Sequence, residues 1–144
     1  MEDGALLSES LQQELGRSFE IGFYEAALRT EPDHVEALHA LGHLYTEAGR
    51  YEEGLAIDQR LAQLVPEEPI VHYNLGCSLA LTGQPTAALD ALERAIELGY
   101  DDAEHMAADP DLASLRDLPR FDALLERIVA NRLRSPRRRR RRGS

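Results

Sequence analysis

The sequence predicts an all-α chain in which antiparallel helix pairs stack as a solenoid. Three observations predict it. Shifted by 34 residues, the chain sets Pro32 on Pro66, Leu41-Gly42 on Leu75-Gly76, Gly49 on Gly83 and Leu64 on Leu98, and a double shift sets Ala27 on Ala95. Several matches in one frame, at Gly and Pro positions, mark an internal repeat of the helical-array kind. Within each copy the apolar residues recur at spacings of three and four, one face of a helix. Ala and Leu are abundant while Trp is absent and aromatics are 6%, a mix suited to helices packed through small and aliphatic side chains.

The elements follow in order. Met1 to Arg17 reads as an amphipathic helix through Leu7, Leu11 and Leu15. From His34 to Ala48 the residues Leu38, Leu41, Tyr45 and Ala48 form the first clear stripe, and Gly49-Arg50 ends it with a residue free to take positive φ. A second helix runs from Tyr51 to Leu64, and Pro66 stops it. The pattern returns with His72, Leu75 and Leu79, then Gly83-Gln84, then Pro85 at a first helical position. Gly42 and Gly76 fall mid-helix, where Gly costs about 1 kcal/mol against Ala. The same cost at the same place in both copies predicts a close helix–helix approach there.

Leu38-x2-Leu41-Gly42-x2-Tyr45 with Pro66, and His72-x2-Leu75-Gly76-x2-Leu79 with Ala88-x3-Leu92, resemble the tetratricopeptide repeat. Gly54-x3-Asp58 stands in place of that family's A-x3-F pair, and Tyr100 stands where its Pro is expected. An earlier partial copy shows its second half, Glu20-x3-Tyr24 through Pro32. After Tyr100 the segment Asp109-Pro110-Asp111-Leu112 through Phe121 and Leu124-Leu125 is similar to those that close bacterial arrays of this family. A last repeat has no neighbour to cover its apolar face, and Phe121, Leu124, Leu125 and Ile128 would supply the covering stripe. The resemblance implies a right-handed superhelical solenoid with a C-terminal helical cap, divided as an N-terminal helix over 1–18, a repeat domain over 19–134 and a tail over 135–144.

In this family the first helix of each repeat lines a concave groove, so the resemblance implies a binding face. On the first full copy, opposite the Leu38/Leu41/Tyr45 face, lie Glu36, His39, His43 and Glu47. The equivalent stripe on the next copy is Ile70, Tyr73, Asn74, Cys77 and Leu81. One wall is polar and titratable, the other more apolar and aromatic. The competing reading is that these are merely solvated helix faces. The implied function is a scaffold that binds a partner protein or peptide in this groove. A partner with an acidic C-terminal motif is disfavoured, because the groove offers Glu, His and Tyr where a carboxylate clamp needs Lys and Arg; Asn74 alone sits where a clamp Asn would.

Other chemistries find little support. His39 and His43 at i, i+4 share a helix face and Cys77 could approach them, but no H-E-x-x-H or paired-Cys motif points to a metal. His72 reads as a packed residue on the interhelical side. No G-x-S-x-G or phosphate-binding loop occurs, and the chain has no Lys for a Schiff base. No catalytic residue, cofactor or metal is therefore expected. A single cysteine excludes an internal disulfide, the acidic opening Met1-Glu2-Asp3 is unlike a signal peptide, and no apolar run approaches the ~20 residues that span a bilayer. A cytoplasmic location is the expectation.

The net charge of −10 hides two different objects. All 26 acidic residues lie between Glu2 and Glu126, while eight of the 16 arginines lie between Arg132 and Arg142. Ser135-Pro136 breaks the last helix, and Arg137, Arg138, Arg139, Arg140, Arg141 and Arg142 form an unbroken run whose self-repulsion predicts disorder. Such a run binds polyanions through counterion release without reading sequence, so the alternative function is contact with nucleic acid or an anionic surface. The protein's own acidic body is the third candidate.

Overall fold

A computed structural model describes residues 2–134, with the side chains of 8–134. The arginine run 137–142, the expected tail 135–144 and the side chain of Leu7 lie outside the described residues. The described chain is helical throughout: α1 Glu2–Thr30, α2 Val35–Glu47, α3 Tyr51–Leu64, α4 Pro69–Leu81, α5 Pro85–Glu97, α6 Ala103–Ala108, a 3-10 helix Pro110–Leu115, and α7 Pro119–Arg134. These elements form two compact units, one ending at Leu64 and one beginning at Val65.

The repeat period is written into the turns. Gly49, Gly83 and Gly99 take φ of 76°, 75° and 115°. In each case the following amide reaches back five residues: Arg50 N–H to Tyr45 O (2.8 Å), Gln84 N–H to Leu79 O (2.9 Å) and Tyr100 N–H to Ala95 O (2.9 Å). This is the Schellman closure, which satisfies carbonyls the helix end leaves open. Helix starts are equally local. His34 Nδ1 accepts from Ala37 N–H (3.1 Å), Asp102 Oδ1 accepts from His105 N–H (2.9 Å), and Pro69, Pro85 and Pro110 lie in the first turn of their helices.

In the first unit α1 crosses residue 18 unbroken, because no proline or left-handed glycine interrupts it. Its core residue Ile21 packs with Leu41, Leu44 and Tyr45 of α2, and Tyr24, Leu28 and Ile57 close over them. The Tyr45 hydroxyl donates to Glu25 Oε2 at 2.8 Å, and burial together with that carboxylate pushes its pKa up to about 12. A Cβ added to Gly42 would lie 3.1 Å from Ile57 Cγ2, and one added to Gly54 would lie 3.6 Å from the Gly42 carbonyl oxygen. Gly54, where the repeat pattern has Ala, thus sits at the tight crossing of α2 and α3.

The second unit is built around α4 and α5. A Cβ on Gly76 would stand 2.8 Å from two carbons of Leu92, closer than real Cβ contacts come. The expected closing stripe is in place: Phe121, Leu124 and Ile128 are buried and Leu125 is half-buried. Arg120 reaches Asp90 (2.7 Å) and Glu93 (3.3 Å) on α5. Arg132 clasps Glu104 (2.8 Å) and also donates to the Asp101 carbonyl. That hydrogen-bonded guanidinium holds the Glu104 carboxyl down at about 2.

Candidate functional site

On α2 the expected stripe stands open. Packing consumes Ala37, Leu38, Leu41, Leu44 and Tyr45, all buried, and the 3.6-residue period therefore turns the other face outwards. Glu36, His43 and Glu47 are exposed, and His39 is half-buried. His43 Nε2 lies 3.0 Å from Glu47 Oε1, with the His43 side chain 74% exposed. The pair is a solvent-facing i, i+4 contact that a partner can reach.

The α4 stripe is different, and here the expectation needs correcting. Ile70 is exposed and Asn74 and Leu81 are half-buried, but Tyr73 retains 3% of its exposure and Cys77 8%. The segment from Tyr100 to Leu115 folds back over them. Tyr73 stacks on Tyr100 (centroids 4.5 Å apart, planes 12° apart) and its hydroxyl donates to Asp109 Oδ2 at 2.6 Å. Cys77 Sγ lies 3.8 Å from the same oxygen. His105 Nε2 approaches it at 3.4 Å, and its ring tilts against Tyr73 at 5.7 Å. Desolvation, with the carboxylate beside them, pushes the Tyr73 phenol and the Cys77 thiol well above their usual ranges. Tyr73 and Cys77 serve the cap and are not available to a partner.

Asp109 organises this cluster. Its Oδ1 accepts from Asp111 N–H (3.0 Å), capping the 3-10 helix, and its carbonyl accepts from Arg116 (3.0 Å). Cys77, Asp109 and Asp111 place one ligand atom each within 4.8 Å of one another. Both Asp109 carboxylate oxygens already accept hydrogen bonds from the chain itself. The cluster is a hydrogen-bonded plug. His72 is not fully packed as expected: half-buried, it pairs through Nε2 with the Pro66 carbonyl at 2.7 Å.

Sequence reading missed Asp109 and His105 because they lie 36 and 32 residues from Tyr73, outside any repeat spacing. The one local signal was Asp109-Pro110-Asp111, a helix-start signature. Also missed was the open face of α1, where Leu11, Leu15, Phe19 and Phe23 are 56%, 61%, 76% and 60% exposed.

Sequence models described as tetratricopeptide repeat match residues 23–56 and 70–99, the two places where the periodic frame and the glycine crossings fall. The chain carries tetratricopeptide repeats. Among curated proteins it is 36% identical over 90 residues to a chloroplastic protein of Arabidopsis thaliana, covering 60% of this chain and 27% of that protein. It is 34% identical over 114 residues to the peroxisomal targeting signal receptor of Komagataella phaffii, covering 78% of this chain and 18% of the receptor. The chain therefore spans about a quarter or less of these relatives. A crystal structure of MamA protein superposes with a TM-score of 0.67 at 22% identity, covering 85% of this chain and 67% of that one, which shows the shared solenoid fold. Tetratricopeptide repeats generally mediate protein–protein interactions and are typically not enzymatic. Among the described residues no helix is long and apolar enough to cross a membrane.

Proposed function

We propose that this chain recruits a partner protein or peptide, and that the open stripe of α2 is its principal contact surface. The observation that carries the reading is the accessibility of Glu36, His43 and Glu47, with His39 beside them, on a helix whose opposite face is wholly consumed by packing. On α4 the residues left to a partner are Ile70, Asn74 and Leu81. Carboxylates and imidazoles on that stripe, in a body whose acidic residues far outnumber its arginines, suit a basic or polar segment and repel an acidic one.

Fluorescence anisotropy with labelled peptides of matched length, one arginine-rich and one glutamate-rich, tests this. The arginine-rich peptide binds, and the Glu36→Gln/Glu47→Gln variant weakens it at least several-fold without moving the melting temperature. Equal binding of both peptides, or an unaffected variant, refutes the assignment of the α2 stripe. The second reading, polyanion binding through Arg137–Arg142, rests on the unbroken run of six arginines. Titration against random single-stranded RNA, with and without residues 135–144, separates it: the tail reading requires tail-dependent binding that fades steeply with salt.

A further inference from the structure

The face of α1 directed away from Ile21 carries an apolar ridge that nothing among the described residues covers. Leu11, Leu15, Phe19 and Phe23 succeed one another at i+4, all more than half exposed. Single exposed apolar residues are ordinary, but a contiguous ridge with two phenylalanines marks an interaction surface. The glycines along it give an independent sign. Gly42, Gly54 and Gly76 have helical neighbours that a Cβ would crowd, whereas Gly16 and Gly22 have nothing within 4 Å among the described residues. Each lowers helix propensity relative to Ala, with no contact among the described residues in return. A helix packed against this ridge would use them.

The chemistry of the occupant follows from charge. The α1 segment carries six carboxylates against two arginines, with Glu9, Glu14 and Glu20 exposed. A second α1 would set like charge against like. The opposite character occurs at the other end of the chain: Arg120 and Arg132 of α7 are taken up by carboxylates of α5 and α6, while its last turns expose Val129 (46%) and Leu133 (70%) beside Arg127 and Arg134. Six more arginines follow in the sequence. We infer that the α1 ridge docks the exposed Val129/Leu133 face of α7 in a second copy of this chain, its acidic flanks facing the basic end of that helix. The two faces differ, so each copy offers one of each, and the contact either closes reciprocally in a two-fold dimer or propagates as a ring or an open chain.

Sedimentation velocity of the full chain from about 5 to 200 μM, at about 50 and 500 mM salt, is the direct measurement. Mass should rise with concentration above that of the monomer and fall back at high salt, because exposed charge pairs are screened. Phe19→Asp and Leu133→Asp alter highly exposed positions, and circular dichroism should show that both variants keep their helix. Each alone should be monomeric, since each lacks one of the two faces. Mixed in equal amounts, they should form dimers and nothing larger, with the α7 face of Phe19→Asp seated on the α1 face of Leu133→Asp. A monomer at every concentration overturns the inference. So does a Leu133→Asp variant that still dimerises, which would mean that α1 pairs with α1, and so does a mixture that stays monomeric.

Discussion

At the scale of single residues, the glycines separate into those that contact explains and those it does not. Gly76 is the sharpest case: Leu92, itself fully buried, stands where a Cβ would go, and the Ala88 carbonyl oxygen is 3.3 Å away. Helix propensity alone favours Gly76→Ala by about 1 kcal/mol, while overpacking a filled core costs about 1–3 kcal/mol. We expect Gly76→Ala to lower the urea midpoint and Gly22→Ala, with open space around it, to raise it. The sequence exposed this at Gly42 and Gly76 through their shared repeat position. It could not show that Gly54 joins Gly42 at the same crossing, because a helix crossing depends on which residues of two segments meet.

At the scale of elements, the decisive event is the return of α6 and the 3-10 helix onto α4. Burial there pushes the Tyr100 phenol up to about 12 and the Tyr73 phenol higher still, with the Asp109 carboxylate adding to the effect on Tyr73. A phenol whose pKa is raised on folding contributes stability that is complete below its unfolded value near 10 and is lost as pH rises through the folded value. The urea midpoint should therefore hold up to about pH 10 and fall above it. In Tyr73→Phe/Tyr100→Phe the fall should be shallower, since two of the responsible protons are gone. An unchanged slope would show that these phenols do not couple to folding. At neutral pH, losing the Tyr73–Asp109 hydrogen bond leaves a buried carboxylate oxygen short of a donor, a loss of about 1–3 kcal/mol.

At the scale of the whole chain, the second unit depends on its closing segment. Met106, Leu112, Leu115 and Ile128 are fully buried, and Arg120 and Arg132 tie α7 to α5 and α6. Removing residues 101–144 would uncover Tyr73, Cys77 and the apolar face of α5 together. We expect the truncated chain to lose cooperative melting of the second unit and to aggregate, seen as a broadened circular dichroism transition and lost monomer in gel filtration. A truncated chain that melts as sharply as the full one would mean that α4 and α5 stand without a cap.

The sequence by itself determined the period, the turns and the helix ends within the two full repeats, because these are local. A Schellman closure needs a left-handed residue at one position, and an i, i+3, i+4 stripe needs only its own helix. Gly49, Gly83, Pro66 and Pro85 are legible for that reason, and so are the α2 stripe and the capping residues Phe121, Leu124 and Ile128. Only the tertiary structure decided what becomes of a face once formed. On α4, Tyr73 and Cys77 have the same helical position as the open residues of α2, yet a segment more than twenty residues away covers them. On α1, an apolar ridge that reads like a core face is left bare. Burial belongs to the pair of surfaces that meet, and a helix's own residues specify only one of them.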